Sequence, residues 1–144
     1  MSNLAVVALL MLGAADAAAP PINPFPRQKL PEVPLVQWEF DRGVDGWTAQ
    51  HACEVSASDG LLKVRNTGED PYFHRPVRVP GGDLVFRIKA RSRTEGSGQI
   101  FWTTDRSPVR GPDKSQGFPL TNDGQWHESE ADFSAPGTLL DLRI

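Results

Sequence analysis

The sequence predicts an all-β domain, folded as an antiparallel β-sandwich. Apolar and polar residues alternate with period two in many short segments, as in strands that bury one face. The chain holds 13 glycines, and most of them fall between these segments, where turns are needed. No window beyond residue 34 has the three-and-four spacing of an amphipathic helix. A closed barrel is the alternative arrangement.

The clearest alternation lies in residues 83–92, where one face is apolar and the other is largely basic. The apolar positions are Leu84, Phe86, Ile88 and Ala90, and they alternate with Val85, Arg87, Lys89 and Arg91. Residues 94–98 supply turn chemistry, and residues 99–104 return as a second strand rich in β-branched and aromatic side chains. We predict that the two strands fold back on each other over residues 83–105. On the second strand Ile100 and Trp102 share one face and Phe101 lies on the other face, so one aromatic side chain is expected outside the core.

The remaining strands complete a set of about nine, spaced roughly ten residues apart. They are predicted over residues 35–40, 53–57, 61–65, 72–79, 117–120, 126–133 and 139–144. Residues 58–60 favour a hairpin turn, and Pro76 favours an edge strand or a bulge. Pro-Gly-Gly at residues 80–82 predicts a turn that separates two strands, and residues 105–116 predict a surface loop.

Composition excludes several classes of protein. A chain of 144 residues is long enough for one domain with a core, and its 39% hydrophobic content is typical of globular proteins. A net charge of −3 gives no reason to expect a nucleic-acid partner. Cys53 is the single cysteine, so an internal disulfide is impossible, and we interpret it as a small buried apolar residue.

The N-terminus has the layout of a secretory signal peptide. Residues 4–15 are apolar, a run of about a dozen where a membrane-spanning helix needs about 20, and small residues follow. We predict a signal peptide over residues 1–17 with cleavage after Ala17, although no Lys or Arg precedes the apolar run. Residues 18–34 are predicted as a proline-rich linker and residues 35–144 as the β-sandwich domain. The predicted location is secreted, periplasmic or at the cell surface.

Several short motifs resemble the galactose-binding-like jelly-roll modules of secreted bacterial proteins, many of which are classed as carbohydrate-binding modules. The matching residues are Trp38 and Phe40 with Gly46-Trp47, Asp70-Pro71-Tyr72, residues 86–92 (FRIKARS), residues 99–104 (QIFWTT), residues 118–120 (FPL), residues 123–127 (DGQWH) and residues 142–144 (LRI). The resemblance implies a non-catalytic module that binds carbohydrate through exposed aromatic side chains. Fold alone does not define a ligand.

Modules of this kind usually continue past the LRI-like strand into a closing strand, whereas nothing follows Ile144 here. Three explanations stay open: a truncated sequence, an open sheet edge, or a strand supplied by another chain. An unpaired edge invites association. We therefore expect that strand pairing with another chain at the C-terminal edge can occur.

The candidate ligand-binding residues are Tyr72, His74 and Trp102 as a sugar-stacking surface, with Asp70 and Arg87 as hydrogen-bonding partners. Sugar C–H faces pack on aromatic rings while polar groups bind the hydroxyls. The alternative is that Tyr72 and Trp102 belong to the core and that His74 lies on an edge strand.

No catalytic residues are predicted, and the protein is not expected to be an enzyme. Glu128, Glu130 and Asp132 share one strand face, which is typical of a solvated surface rather than of a glycosidase pair in a cleft. No cofactor and no metal site are predicted. The resemblance also implies a possible structural calcium ion, for which Asp41, Asp45 and Glu39 could serve as early ligands, but a late ligand is missing and calcium is not predicted.

A second hypothesis is a structural or protein-interaction domain of the cell envelope with no small ligand. Its partner would be an envelope component, bound by strand addition. Solvent exposure separates the two hypotheses, because sugar binding requires that Tyr72 and Trp102 share an exposed surface.

Overall fold

The computed structural model describes residues 3–14 and 32–144. Its strands are β1 (Asn3–Ala14), β2 (Pro34–Trp38), β3 (Thr48–His51), β4 (Cys53–Ser58), β5 (Leu61–Asn66), β6 (Tyr72–Ser92), β7 (Gly98–Thr104), β8 (Ser115–Phe118) and β9 (Trp126–Arg143). One short 3₁₀ helix, Pro112–Lys114, precedes β8. Every strand pairing is antiparallel. The predicted all-β, antiparallel fold class is confirmed.

Two unusually long strands, β6 and β9, form the middle of the sheet. They pair from His74↔Arg143 at one end to Arg91↔Trp126 at the other, with register shifts near residues 76–82. The turn that Pro-Gly-Gly predicts at residues 80–82 is therefore a bend inside β6. Proline and glycine disturb the ladder there without ending it, because β9 bends at the same level and stays paired.

The bend folds the sheet into two facing layers. The first layer runs β4-β5-β1, then the second half of β6 and the first half of β9, and β2 pairs with β1. The second layer contains β3, the first half of β6, the second half of β9, β7 and β8. Rings meet between the layers: Phe86 lies 5.7 Å from Phe118, and Trp102 lies 4.4 Å from Phe133, between ring centroids.

The core fills the space between these layers. Its largest fully buried side chains are Trp38, Phe40, Trp47, Leu62, Leu84, Phe86, Ile100, Leu139 and Leu142. Trp47 joins two other rings edge-on, at 5.3 Å from Trp38 and 5.4 Å from Phe73. Each aromatic pair of this kind contributes about 1 kcal/mol beyond its buried area.

The predicted pairing of residues 83–92 with residues 99–104 is wrong. The two edges of that part of β6 are occupied by β1 and β9, whereas β7 pairs with β8 and with the end of β9. The connection at residues 93–97 crosses from one layer to the other. The two strands consequently face each other across the core and do not share a ladder. The predicted apolar face of residues 84–90 is nevertheless buried.

The described part of the N-terminus is a strand. Asn3–Ala14 pairs with β6 on one side, and with β5 and then β2 on the other. Most of the predicted linker and the predicted cleavage point after Ala17 lie outside the described residues. The described segments contain no helix with the length and apolar character that a bilayer crossing needs.

The C-terminal strand has no open edge, which was one of the three explanations that the sequence leaves open. The last part of β9 pairs with β6 on one side and with β7 on the other, through Phe101↔Arg143 and Thr103↔Asp141. Ile144 also exchanges two backbone hydrogen bonds with Phe73, each 2.9 Å long. The backbone groups that a partner strand would need at this edge are already engaged.

Gly81 at the bend is expected to tolerate no side chain. A Cβ atom there would lie 1.9 Å from the carbonyl oxygen of Ala135 and 2.5 Å from that of Gly137, and backbone atoms cannot rotate away. Gly81→Ala should lower the free energy of unfolding by about 3 kcal/mol, measured by urea denaturation. Gly117→Ala is the matched control, because the nearest atom would lie 3.9 Å away. Equal stability of both variants would contradict the close approach at the bend.

Candidate functional site

A row of aligned residues crosses the outer face of the second layer. Strand register places Thr48, His74, Arg143, Phe101 and Ser115 side by side on five neighbouring strands. Aligned residues of an antiparallel sheet project from the same face. On the three central strands the chain neighbours Phe73, Leu142 and Ile100 are buried, so this face carries polar and aromatic side chains that the core does not use.

Arg143 is held between two aromatic rings. Its guanidinium carbon lies 4.5 Å from the ring centroid of Tyr72 and 4.4 Å from that of Phe101. Cation–π attraction on both sides orients the guanidinium plane without using its N–H donors. Within residues 32–144, Arg143 has no carboxylate partner, and its buried Nε atom has no hydrogen-bond acceptor. The two Nη groups of Arg143 are therefore oriented and have no hydrogen-bond partner among residues 32–144.

Tyr72 is supported by a third group. The His51 ring stacks on it at 5.0 Å with an interplanar angle of 14°, and His51 Nδ1 lies 3.0 Å from the carbonyl oxygen of Asp70, to which it donates when protonated there. His51, Tyr72, Arg143 and Phe101 thus form one continuous stack. With His51 and Arg143 against it, the Tyr72 ring has little free surface left for a sugar.

A second arginine adds positive charge beside the stack. Arg110, from the loop before β8, donates to Asp141, and the same carboxylate accepts from His74 Nδ1 at 2.9 Å. Burial lowers the pKa of Arg110, and the nearby charge of Arg143 lowers it further. Arg110 thus pairs with Asp141, whereas Arg143 keeps its charge without a carboxylate partner among residues 32–144.

His74 is a neutral hydrogen-bond donor in this cluster. Burial lowers its pKa, and the positive charge of Arg110 lowers it further. A carboxylate can only accept, so the neutral ring carries its proton on Nδ1 and donates it to Asp141. His74 therefore holds Asp141 in place rather than facing a ligand.

A cavity of about 320 Å³ lies beside the stack at one end of the sandwich. The stack contributes Tyr72, Phe101 and Arg143 to its wall. Further polar lining residues are Asn66, Asp70, Thr94, Glu95, Ser97 and Gln99, and core side chains such as Phe118 form the apolar part. The volume lies within the range of pockets that take small ligands, about 300–1,000 Å³.

The structure brings together two of the five predicted site residues, since Asp70 and Tyr72 both line this cavity. His74 lies on the same face, outside the lining. Trp102 is only 5% exposed and packs on Phe133, so it belongs to the core, as the alternative interpretation held. The adjacent residue Phe101, on the opposite face of β7, has the partly exposed aromatic ring instead.

Arg87 lies in the other layer. Its Nε donates to Glu130 at 3.1 Å, and its Nη atoms donate to Glu32; the bond to Glu32 raises its pKa. The strand register explains this position, because Arg87 aligns with Glu130 and Lys89 aligns with Glu128. The basic stripe of β6 and the acidic stripe of β9 are neighbours that neutralise each other. Sequence reasoning missed Arg143, because no local pattern marks an arginine that two distant aromatics will enclose.

The described residues contain no group of three or more His, Cys, Asp or Glu side chains arranged to hold a metal ion. Of the acidic residues considered for calcium, Asp45 forms an ion pair with Arg75 at 3.5 Å. Cys53 is half-buried and donates to the carbonyl oxygen of Tyr72 at 3.3 Å. Burial raises the pKa of the Cys53 thiol, which disfavours the reactive thiolate.

The fold and the cavity define a class: an all-β domain with a cavity of about 320 Å³ at one end of a two-layered antiparallel sheet. No family model, no curated protein and no solved structure gives a significant match to this chain. The resemblance to galactose-binding-like modules therefore stays a prediction.

The stability of the domain should fall as the pH drops below the ordinary pKa of histidine, 6.5. The pKa of His74 is lowered in the fold, so between the two values the unfolded chain binds more protons and acidification favours unfolding. His74→Asn keeps a donor near the Nδ1 position but cannot titrate. Urea midpoints measured from about pH 7.5 to about pH 5.5 should fall less steeply for this variant. Equal slopes for the two proteins would contradict the assignment.

Proposed function

We propose that this protein is a non-catalytic, extracytoplasmic binding module that takes an acidic carbohydrate at the cavity beside Arg143. The observation that carries the proposal is the Arg143 guanidinium, fixed between Tyr72 and Phe101 with its donors unused. A fixed planar fork of donors suits a carboxylate, which it can bind through two parallel hydrogen bonds. The cavity wall also carries Asp70 and Glu95, so the positive charge that favours an anion is local to Arg143, which has no carboxylate partner among residues 32–144.

Neutral polar groups around the cavity suit the rest of a sugar. Gln99, Asn66 and Thr94 provide amide and hydroxyl groups that both donate and accept, as sugar hydroxyls do. The half-exposed Phe101 ring offers apolar surface to a sugar C–H face. This arrangement departs from the expected stacking on Tyr72 and Trp102, and it makes charge and hydrogen bonding the main source of affinity.

The non-catalytic part of the proposal rests on the positions of the carboxylates. Glu130 pairs with Arg87, and Glu128 lies 3.9 Å from Lys89 on an exposed face, so these carboxylates are engaged in cross-strand ion pairs. Export rests on the apolar composition of residues 4–15 and on the small residues that follow.

Binding should depend on the ligand's charge. Isothermal titration calorimetry with a uronic-acid oligosaccharide and with its methyl ester compares two ligands that differ in the carboxylate alone. We expect binding of the acid and at least tenfold weaker binding of the ester, because charge-assisted hydrogen bonds contribute about 1.5–3 kcal/mol. Equal affinity for both would contradict the role of Arg143, and binding of neither would overturn the proposal.

Arg143→Gln should weaken binding of the acidic oligosaccharide by about 10- to 100-fold, because the fixed charged fork is lost. Arg78→Gln, at an exposed position of the neighbouring strand β6, is the matched control and should bind normally. Urea midpoints of both variants establish that each is folded. A folded Arg143→Gln variant with unchanged affinity would place the ligand elsewhere.

The alternative, an interaction domain, is favoured by a different feature, the position of β1. That feature is independent of the cavity.

A further inference from the structure

In the first layer β1 lies between β5 and β6, which cannot pair with each other. We call the position that β1 occupies the slot. Asn3–Ala14 has β6 along one side, and along the other side β5 followed by β2. Both β5 and β6 run antiparallel to β1, so they run parallel to each other. With one strand between them their axes are about 10 Å apart, twice the spacing of hydrogen-bonded strands.

An empty slot would be costly. The facing edges of β5 and β6 would lose their ladder partners, and unpaired backbone groups beside a core are strongly disfavoured. Buried side chains lie on both edges, among them Leu62 and Val64 on β5 and Phe86 and Ile88 on β6. Without an intervening strand this part of the core would open to water. The slot therefore requires a strand.

The strand that fills the slot is also the segment with signal-peptide composition. Residues 4–15 form the apolar run, and the predicted cleavage after Ala17 would remove all of β1. The same residues cannot both be removed and stay in the sheet. Export processing and occupation of the slot by β1 are mutually exclusive.

The connection from β1 to β2 does not determine the pairing of these strands. Gly13 aligns with Pro34, so the two strand ends are adjacent, yet residues 15–33 separate them in the sequence. A hairpin needs only about two to five residues for such a connection. The ladder and the core, rather than a tight turn, hold β1 in register. A strand that is not covalently attached can use the same interactions.

We propose that the slot between β5 and β6 is a strand-acceptor site, which Asn3–Ala14 occupies in the uncleaved chain and which an apolar strand of a partner protein occupies once that segment is removed. The partner strand runs antiparallel to β5 and β6, as β1 does, and adds to the sheet by main-chain hydrogen bonds. The proposal does not depend on the ligand cavity.

The register defines the chemistry of the partner strand. Val6 aligns with the buried residues Leu62 and Ala90, so this position requires an apolar side chain. Ala5, one residue earlier, aligns with Lys63 and Arg91, two basic residues that are not buried. A strand that is apolar at the position of Val6 and neutral or acidic at the position of Ala5 fits best. Shifting the partner strand by one residue would exchange its buried face with its exposed face.

The test uses the full chain with a specific protease site introduced between residues 18 and 31. After cleavage, the N-terminal fragment should co-elute with the domain in size-exclusion chromatography. A fluorescent synthetic peptide of residues 3–14 should then exchange into the slot, measured by fluorescence anisotropy. An Ala5→Glu peptide should compete at least as well as the native sequence, whereas a Val6→Glu peptide should compete at least tenfold less well.

The same two substitutions in the uncleaved chain provide a second measurement that needs no peptide. Val6→Glu should lower the urea midpoint, and Ala5→Glu should leave it unchanged. Equal effects of the two substitutions, on the peptide or on the chain, would overturn the proposed register. Release of the cleaved fragment with no change in the midpoint would overturn the acceptor site. A concentration-dependent dimer that Val6→Glu abolishes would make a second copy the occupant and overturn the assignment to a partner protein.

Discussion

The pairing of β6 with β9 is the constraint on which the rest of the structure depends. These strands stay in register on both sides of a shared bend, so a single ladder contributes to both layers. The bend requires a close backbone approach between Gly81 and Ala135, which a glycine permits. β1, β3 and β7 pair with the edges of these two strands, and the remaining strands extend the sheet from β1, β5 and β7. The core forms because the two halves of the same strands bring their apolar faces together.

Cross-strand register also organises the charges. In the first layer the basic face of β6 lies beside the acidic face of β9, so Arg87 and Lys89 find Glu130 and Glu128. In the second layer the same two strands give a different result, since Asp141 already binds Arg110 and His74. Arg143 is left with aromatic neighbours alone. One surface is therefore neutralised, and the other has a donor group that is oriented and unused.

From the sequence, the two faces of residues 99–104 were predicted correctly, but the roles of the aromatic side chains on them were not. The alternation around Phe101 showed that residues 99–104 have one aromatic outside the core, and the structure identifies Phe101 as that residue. Trp102 was chosen as a ligand platform because it is large, but its face of β7 points at Phe133. Periodicity separates two faces correctly; which face meets another layer depends on strands far away in the sequence.

The N-terminal segment shows the same limit of prediction from local sequence patterns. Composition identifies residues 4–15 as apolar and short, which suits a signal peptide and a buried strand equally well. The structure adds that the slot between β5 and β6 needs such a strand, a property of two ladders that no local pattern contains. Sheet edges are defined by which segments are neighbours, so the sequence could not show that residues 139–144 are paired on both sides.

By itself the sequence determined the all-β class, the alternating faces and the main surface loops, because these follow from side-chain period and from proline and glycine chemistry within a few residues. Only the tertiary structure decided that β6 and β9 are continuous, that β7 faces β6 across the core, and that Arg143 lies between Tyr72 and Phe101. Those relationships join residues tens of positions apart, and the packing of the two layers selects among pairings that are locally equivalent.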